Sequence, residues 1–169
     1  MKKIELKADR LRALLEYDST TGVFRWRVDV GRWGRIKAGT ITGSPDAFGH
    51  LRIQVDGRLY YAHRLAWLYM TGDWPSGEVD HIDGVPHSNA FSNLRDVPHQ
   101  VNTENRRKAN REKASGLPIG VSIDRRDGRY RADITVRGKG VSLGRYSDPE
   151  RAHQAYLVAK RRLHEGCTI

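Results

Sequence analysis

The sequence predicts an α+β protein made of two small modules. One is a strand–strand–helix unit in the middle of the chain, and the other is a three-stranded antiparallel sheet with one packed helix near its C-terminal end. Three observations lead there. Leu51, Ile53 and Val55 alternate with polar residues on one side of Asp56-Gly57, and Arg58 to Tyr61 follow on the other, the pattern of a hairpin with a two-residue turn. Residues 119–146 show three further strand-like runs, after which Ala152, Ala155, Tyr156, Ala159 and Leu163 recur at helical spacing. Between these regions Asp80-His81, Asn93 and Asn102 sit in an order that would bring a carboxylate, an imidazole and an amide oxygen together across a strand, a second strand and a helix.

From the N-terminus, Ala8, Leu11, Leu14 and Leu15 predict a helix over 6–17. Tyr17 to Gly22 reads as a turn and Val23 to Val28 as a half-buried strand. Gly31 to Gly43 is rich in glycine and basic residues, either a loop lying along a polyanion or a plain connection. The hairpin of 49–62 leads into a short helix from His63 to Met70, which ends at Thr71-Gly72. Asn93 to Val97 reads as a strand and Pro98 to Arg106 as a helix start, with Asp96 as its candidate cap. Asn105 to Gly116 holds five basic residues, one acidic residue and no large apolar side chain, so it reads as a basic linker. Beyond it Ile119 to Ile123, Arg129 to Arg137 and Val141 to Tyr146 are strands, and Ser147 or Asp148 caps the last helix, which Gly166 ends. The resulting division is 1–48 as a lead-in, 49–106 as the central module, 107–116 as linker and 117–169 as the last module.

Composition narrows the partners. The chain of 169 residues carries a net charge of +10. Residues 1–104 hold fourteen Lys and Arg against thirteen Asp and Glu, while 105–169 hold sixteen against seven. This concentration of positive charge points to nucleic acid. No apolar run is long enough to span a bilayer, and the first residues lack a signal-peptide pattern. A cytoplasmic protein is expected. The one cysteine, Cys167, allows neither an internal disulfide nor a Cys-based zinc site, so no zinc is expected.

The central residues suit phosphodiester hydrolysis. A neutral histidine can take a proton from water near neutral pH. A hard cation such as Mg²⁺ or Mn²⁺ can neutralise the phosphate with few protein oxygen ligands. In this reading His81 is the base and Asp80 and Asn102 are the metal ligands. His99 shares a helix face with Asn102 at i, i+3 and can contact the phosphate or protonate the leaving group.

The set Asp80-His81, Asp83-Gly84, Asn93-Leu94-Arg95 and Asn102 resembles the HNH nuclease motif in its homing-endonuclease branch, found in phages and mobile introns. The resemblance implies a ββα-metal fold, cleavage of double-stranded DNA, and a role for Asn93 in bracing the loop and orienting His81. It also implies that His63-Arg64, which opens the helix in similar proteins, can touch a phosphate near the site. A phage gene product acting in the cytoplasm of a bacterial host is the setting it suggests, and Pro98 stands where the family often has threonine. Residues 117–169 resemble the AP2 DNA-binding domain through Gly120-Val121, Tyr130 to Ile134, Leu143 to Tyr146 and the helix from Glu150 to Ala159. In that family the sheet enters the major groove, which makes Arg129, Arg131 and Arg137 candidate base readers and Arg125, Arg126 and Arg145 candidate phosphate or base contacts. Arg106, Arg107, Lys108 and Arg111 of the linker would follow the phosphate backbone. A monomer would nick one strand, and a double-strand break would need a dimer or two binding events. The competing expectation is a non-catalytic, sequence-selective DNA-binding protein on an HNH scaffold.

Overall fold

The computed structural model describes residues 5–104, 116–164 and 167. The chain divides into two compact units, Met1–Val97 and Pro98–Ile169.

In the first unit, helix α1 (Ala8–Leu14) buries Ala8, Leu11 and Leu14 on one stripe. The chain then turns extended, and β1 (Leu15–Tyr17) pairs antiparallel with β2 (Phe24–Trp26), placing Leu15 opposite Trp26 and Tyr17 opposite Phe24. Every second residue of both strands is buried, as a pleated strand with one face on the core requires. The helix expected over 6–17 therefore stops at Leu14, because the next three residues complete a sheet. Asp18 closes the intervening turn by accepting from the Thr20 and Thr21 amides. β3 (Ile41–Thr42) joins β2 from within the glycine-rich stretch.

A second sheet is made of β4 (Ser44–Pro45), β5 (Leu51–Val55) and β6 (Arg58–Tyr61) in that order. Asp56 and Gly57 both have positive φ, 47° and 78°, the mirror-image turn that matches strand twist. β6 runs directly into α2 (Ala62–Thr71), whose residues Ala62, Leu65, Ala66 and Leu68 are buried. The pair β7 (Glu78–His81) and β8 (Leu94–Val97) completes the unit. One core holds all of this together, running from Leu11, Leu15 and Phe24 through Ile53 and Leu65 to Val79 and Leu94. The lead-in expected over 1–48 thus shares its core with the hairpins after it. Asp96 does not cap a helix; its carboxylate accepts from Ser76 N, Ser76 Oγ and Gly77 N, fastening the entry to β7.

The second unit contains α3 (His99–Glu104), a sheet ordered β11 (Lys139–Tyr146), β10 (Tyr130–Val136), β9 (Val121–Ile123), and α4 (Pro149–Leu163). Asp148 caps α4, its Oδ1 accepting from the Arg151 amide at 2.9 Å. Val121 and Ala132 pack with Ala152, and Ile134 packs with Tyr156 and Ala159, so α4 covers one face of the sheet. Gly120 has φ +79°, and a Cβ there would fall inside the Tyr156 ring.

Candidate active site

β7 carries the two residues on which the sequence reading turns. Neighbours in a strand point to opposite faces, and Asp80 and His81 do so. Asp80 stands opposite Arg95 in the β7–β8 register. Arg95 Nε and Nη2 both donate to Asp80 Oδ2, at 3.1 and 2.8 Å. This ion pair is largely shielded, with side-chain exposures of 25% for Arg95 and 13% for Asp80.

His81 faces the other way and is 6% exposed. Its Nε2 lies 3.0 Å from Asn89 Oδ1. An amide oxygen only accepts, so this contact puts a proton on Nε2. The Asn89 side chain is itself 1% exposed. Two further imidazoles meet His81 there. Ring centroids are 5.1 Å apart for His63 and His81, 5.8 Å for His50 and His81, and 5.4 Å for His50 and His63. One ring nitrogen from each of the three lies within 4.8 Å of the others, a spacing that can hold a metal ion. The Tyr61 ring stacks on His63 at 5.3 Å with an interplanar angle of 11°. His50 is fixed by the turn before β5, where Asp46 Oδ1 accepts from the Phe48 and His50 amides. β5, α2 and β7 are thus the elements that bring the three rings together.

Burial disfavours the charged form of these rings. His63 is pushed down to about 3, first by burial and then by the neighbouring His81 and His50. His81 is also lowered by burial, with Asn89 opposing the shift and His50 adding to it. Both rings are neutral at pH 7, the form needed to accept a proton or bind a metal. His50 Nδ1, His63 Nδ1 and Asn89 Nδ2 are buried and have no hydrogen-bond partner among the described residues.

The loop from Asp83 to Asn93 is braced from within. Asn93 Oδ1 accepts from the Asp83 amide at 3.0 Å, and Asn93 Nδ2 donates to Ser88 O at 2.7 Å. Asp83 Oδ1 accepts from Val85 N, and Gly84 N donates to His81 O. Asn93 spans the loop, but the residue touching His81 is Asn89. Arg64 reaches the Gly77 carbonyl at 3.4 Å and lies over the Trp74 ring, while His63 belongs to the imidazole cluster.

His99 and Asn102 lie on α3, in the second unit. His99 O accepts from Thr103 Oγ1 at 2.9 Å, and Asn102 N donates to Pro98 O at 3.2 Å. Arg131 is exposed on β10 beside the buried Ala132, on the sheet face away from α4, and pairs with Asp133 at 2.6 Å. Arg145 Nε lies 3.3 Å from Asp124, and Arg129 Nε lies 3.9 Å from Asp127. Arg137 occupies the β10–β11 turn with φ 48°, and Arg125 and Arg126 are exposed. Arg106, Arg107, Lys108 and Arg111 fall outside the described residues, as does Gly166.

The sequence reading did not single out His50 or Asn89. His50, His63 and His81 show no regular spacing, and Asn89 lies in a loop without a periodic pattern. No local signal in the sequence marks either residue.

A search of curated proteins returns no match. Among solved structures, one described as "DNA binding and cleavage by the HNH homing endonuclease I-HmuI" is similar over 90% of this chain and 88% of that chain, at 22% identity and a TM-score of 0.44. No helix among the described residues is long and apolar enough to cross a membrane. Residues 60–104, the segment bearing His63, Asp80, His81, Asn93, His99 and Asn102, match the family model described as HNH endonuclease.

Proposed function

We propose that this chain is a metal-dependent DNA endonuclease of the HNH homing type, which nicks one strand per site and reads its target through residues 117–169. The observation that carries the reading is the match of residues 60–104 to the HNH endonuclease model, with an Asp-His pair and a loop-bracing Asn inside the matched segment. The division into lead-in, nuclease module, basic linker and AP2-like module is part of the same proposal, and so is a phage-encoded, cytoplasmic setting.

The residues divide the work by chemistry. Asp80 and Asn102 supply the hard oxygen donors that suit Mg²⁺ or Mn²⁺. Such an ion would neutralise charge on the phosphate and on the leaving oxygen. Arg95 already donates to Asp80 Oδ2, so a cation bound there must share that carboxylate or displace the guanidinium. His81 accepts the proton of the attacking water through a ring nitrogen. His81 is buried, so this requires the ring to gain access to water when DNA binds; catalytic contacts commonly tighten only in the complex. Asn93 keeps the loop after β7 in one shape, and His99 serves the phosphate or the leaving group. Arg129, Arg131 and Arg137 read base edges, with Arg125, Arg126, Arg145, His63, Arg64 and the linker residues Arg106, Arg107, Lys108 and Arg111 on phosphates or nearby bases.

A second reading is favoured by a specific observation. The engaged Asp80 and the buried His81 also suit a DNA-binding protein that keeps the HNH fold as a scaffold. A plasmid-nicking assay separates the two. Supercoiled DNA should open in Mg²⁺ or Mn²⁺ and not in EDTA, and His81→Ala should lose this activity by about 10³-fold or more while binding DNA nearly as tightly. Tight, selective binding to a fragment that wild type leaves uncut would uphold the scaffold reading instead.

A further inference from the structure

We propose that His50, His63 and His81 form a site for one transition-metal ion of the Zn²⁺ class, distinct in chemistry from the oxygen pair Asp80 and Asn102. The geometry is close to what such an ion needs. A tetrahedral site with metal–nitrogen bonds of about 2.0–2.1 Å spaces its nitrogens about 3.4 Å apart. The three ring nitrogens here lie within 4.8 Å of one another, so side-chain rotations of roughly 1 Å close the site. His63 and His81 come from α2 and β7, elements that share one core with β5, and His50 stands immediately before β5 in a turn held by Asp46, which makes the arrangement a property of the fold.

Three features point to a ligand. The Nδ1 atoms of His50 and His63 are buried without a partner among the described residues, an arrangement that is unfavourable unless something answers it. All three donors are imidazoles, which favour Zn²⁺, Co²⁺, Ni²⁺ or Cu²⁺ over Mg²⁺. Asn89, at 3.0 Å from His81 Nε2, fixes the tautomer as outer partners of metal-bound histidines do. The expectation of no zinc rested on the single cysteine, and an all-imidazole site lies outside that argument.

The site has a consequence that rests on the nuclease reading. An ion bound there takes the His81 lone pair that would accept the water's proton. Zinc occupancy and hydrolysis are then mutually exclusive, and a Zn²⁺-class ion acts as an inhibitor of the Mg²⁺-dependent reaction.

The test begins with binding. The full chain, stripped with EDTA and dialysed, is titrated with Co²⁺ while the visible bands of tetrahedral cobalt are followed. One equivalent should bind and be displaced by Zn²⁺. His50→Ala should weaken binding by roughly 100-fold or more, and Asn89→Ala by roughly 10- to 100-fold. His87→Ala, which changes an exposed loop histidine, should bind as wild type does. Absence of the bands in wild type, or unchanged bands in His50→Ala, overturns the site. If His50→Ala does not fold, zinc-edge X-ray absorption of wild type decides: three imidazole nitrogens uphold the site and fewer overturn it. In the nicking assay, one equivalent of Zn²⁺ should suppress cutting by wild type but not by His50→Ala. Equal cutting by both in Zn²⁺ removes His81 as the third ligand. Failure of both to cut under any condition overturns the nuclease reading, while the cobalt titration still settles the metal site.

Discussion

The His63 ring ties the stability of the first unit to pH. In the folded chain it takes up a proton only near pH 3, whereas an unfolded histidine does so near 6.5. The unfolded state therefore binds more protons between these values, and the sign follows: stability is full above about pH 6.5 and falls as pH drops towards 3. The groups acting on it are His81, His50 and Arg64, which push the same way as burial, and Asp46, which opposes them. The shift corresponds to roughly 3–5 kcal/mol at its full extent. Urea unfolding of chelator-treated protein at pH 7 and pH 4.5 should show a marked loss of stability at the lower pH, and His63→Phe should flatten that dependence. Gly120 makes a second prediction at this scale. Its positive φ and its closeness to the Tyr156 ring leave no room for a methyl group, so Gly120→Ala should cost at least about 2 kcal/mol by denaturant unfolding. Single residues were legible in the sequence where their chemistry is local. Asp80-His81 adjoin in the chain and stood out at once. His50 and Asn89 become neighbours of His81 only through packing, and no spacing in the sequence announces that.

Elements were legible where their pattern is self-contained. Asp56-Gly57 between two alternating runs is a hairpin on its own terms, and α4 has its cap, its proline at the start and its apolar stripe within one short stretch. Asp148→Ala should remove the capping acceptor for Arg151 N and cost about 1 kcal/mol, read as a lower melting temperature of the second unit. The end of α1 was not legible. Leu15 and Tyr17 continue the helical apolar pattern, but Trp26 and Phe24 claim them across the sheet, and this partner lies well downstream in sequence. Asp96 shows the same thing on a smaller scale. It stands where a helix cap would, yet three donors in the loop before β7 take its carboxylate.

For the whole molecule, charge and connectivity set the expectations. On the proposed DNA-binding role, the basic excess of residues 105–169 should make affinity fall steeply with salt, with a slope of about −0.9 per phosphate neutralised. Replacing Arg129, Arg131 and Arg137 together with alanine should weaken binding and erase preference among sequences, measured by competition binding at fixed salt. Arg131 is already paired with Asp133, so its contact with DNA requires exchanging one anion for another. Shared burial carries no mark in composition, so nothing in residues 1–48 announces that they pack into one core with the hairpins after them. The lead-in turn and the loop after β7 are held together: Tyr17 OH donates to Asn89 O at 2.7 Å, and Phe91 N donates to Ser19 O at 2.9 Å. The segment that looks like a preface is therefore the mould in which the Asn89 loop is cast. A protein engineer who grafts the HNH-matched segment onto another carrier must bring residues 5–104 as one cassette, since a chimera joined at residue 49 leaves the loop that touches His81 without its template.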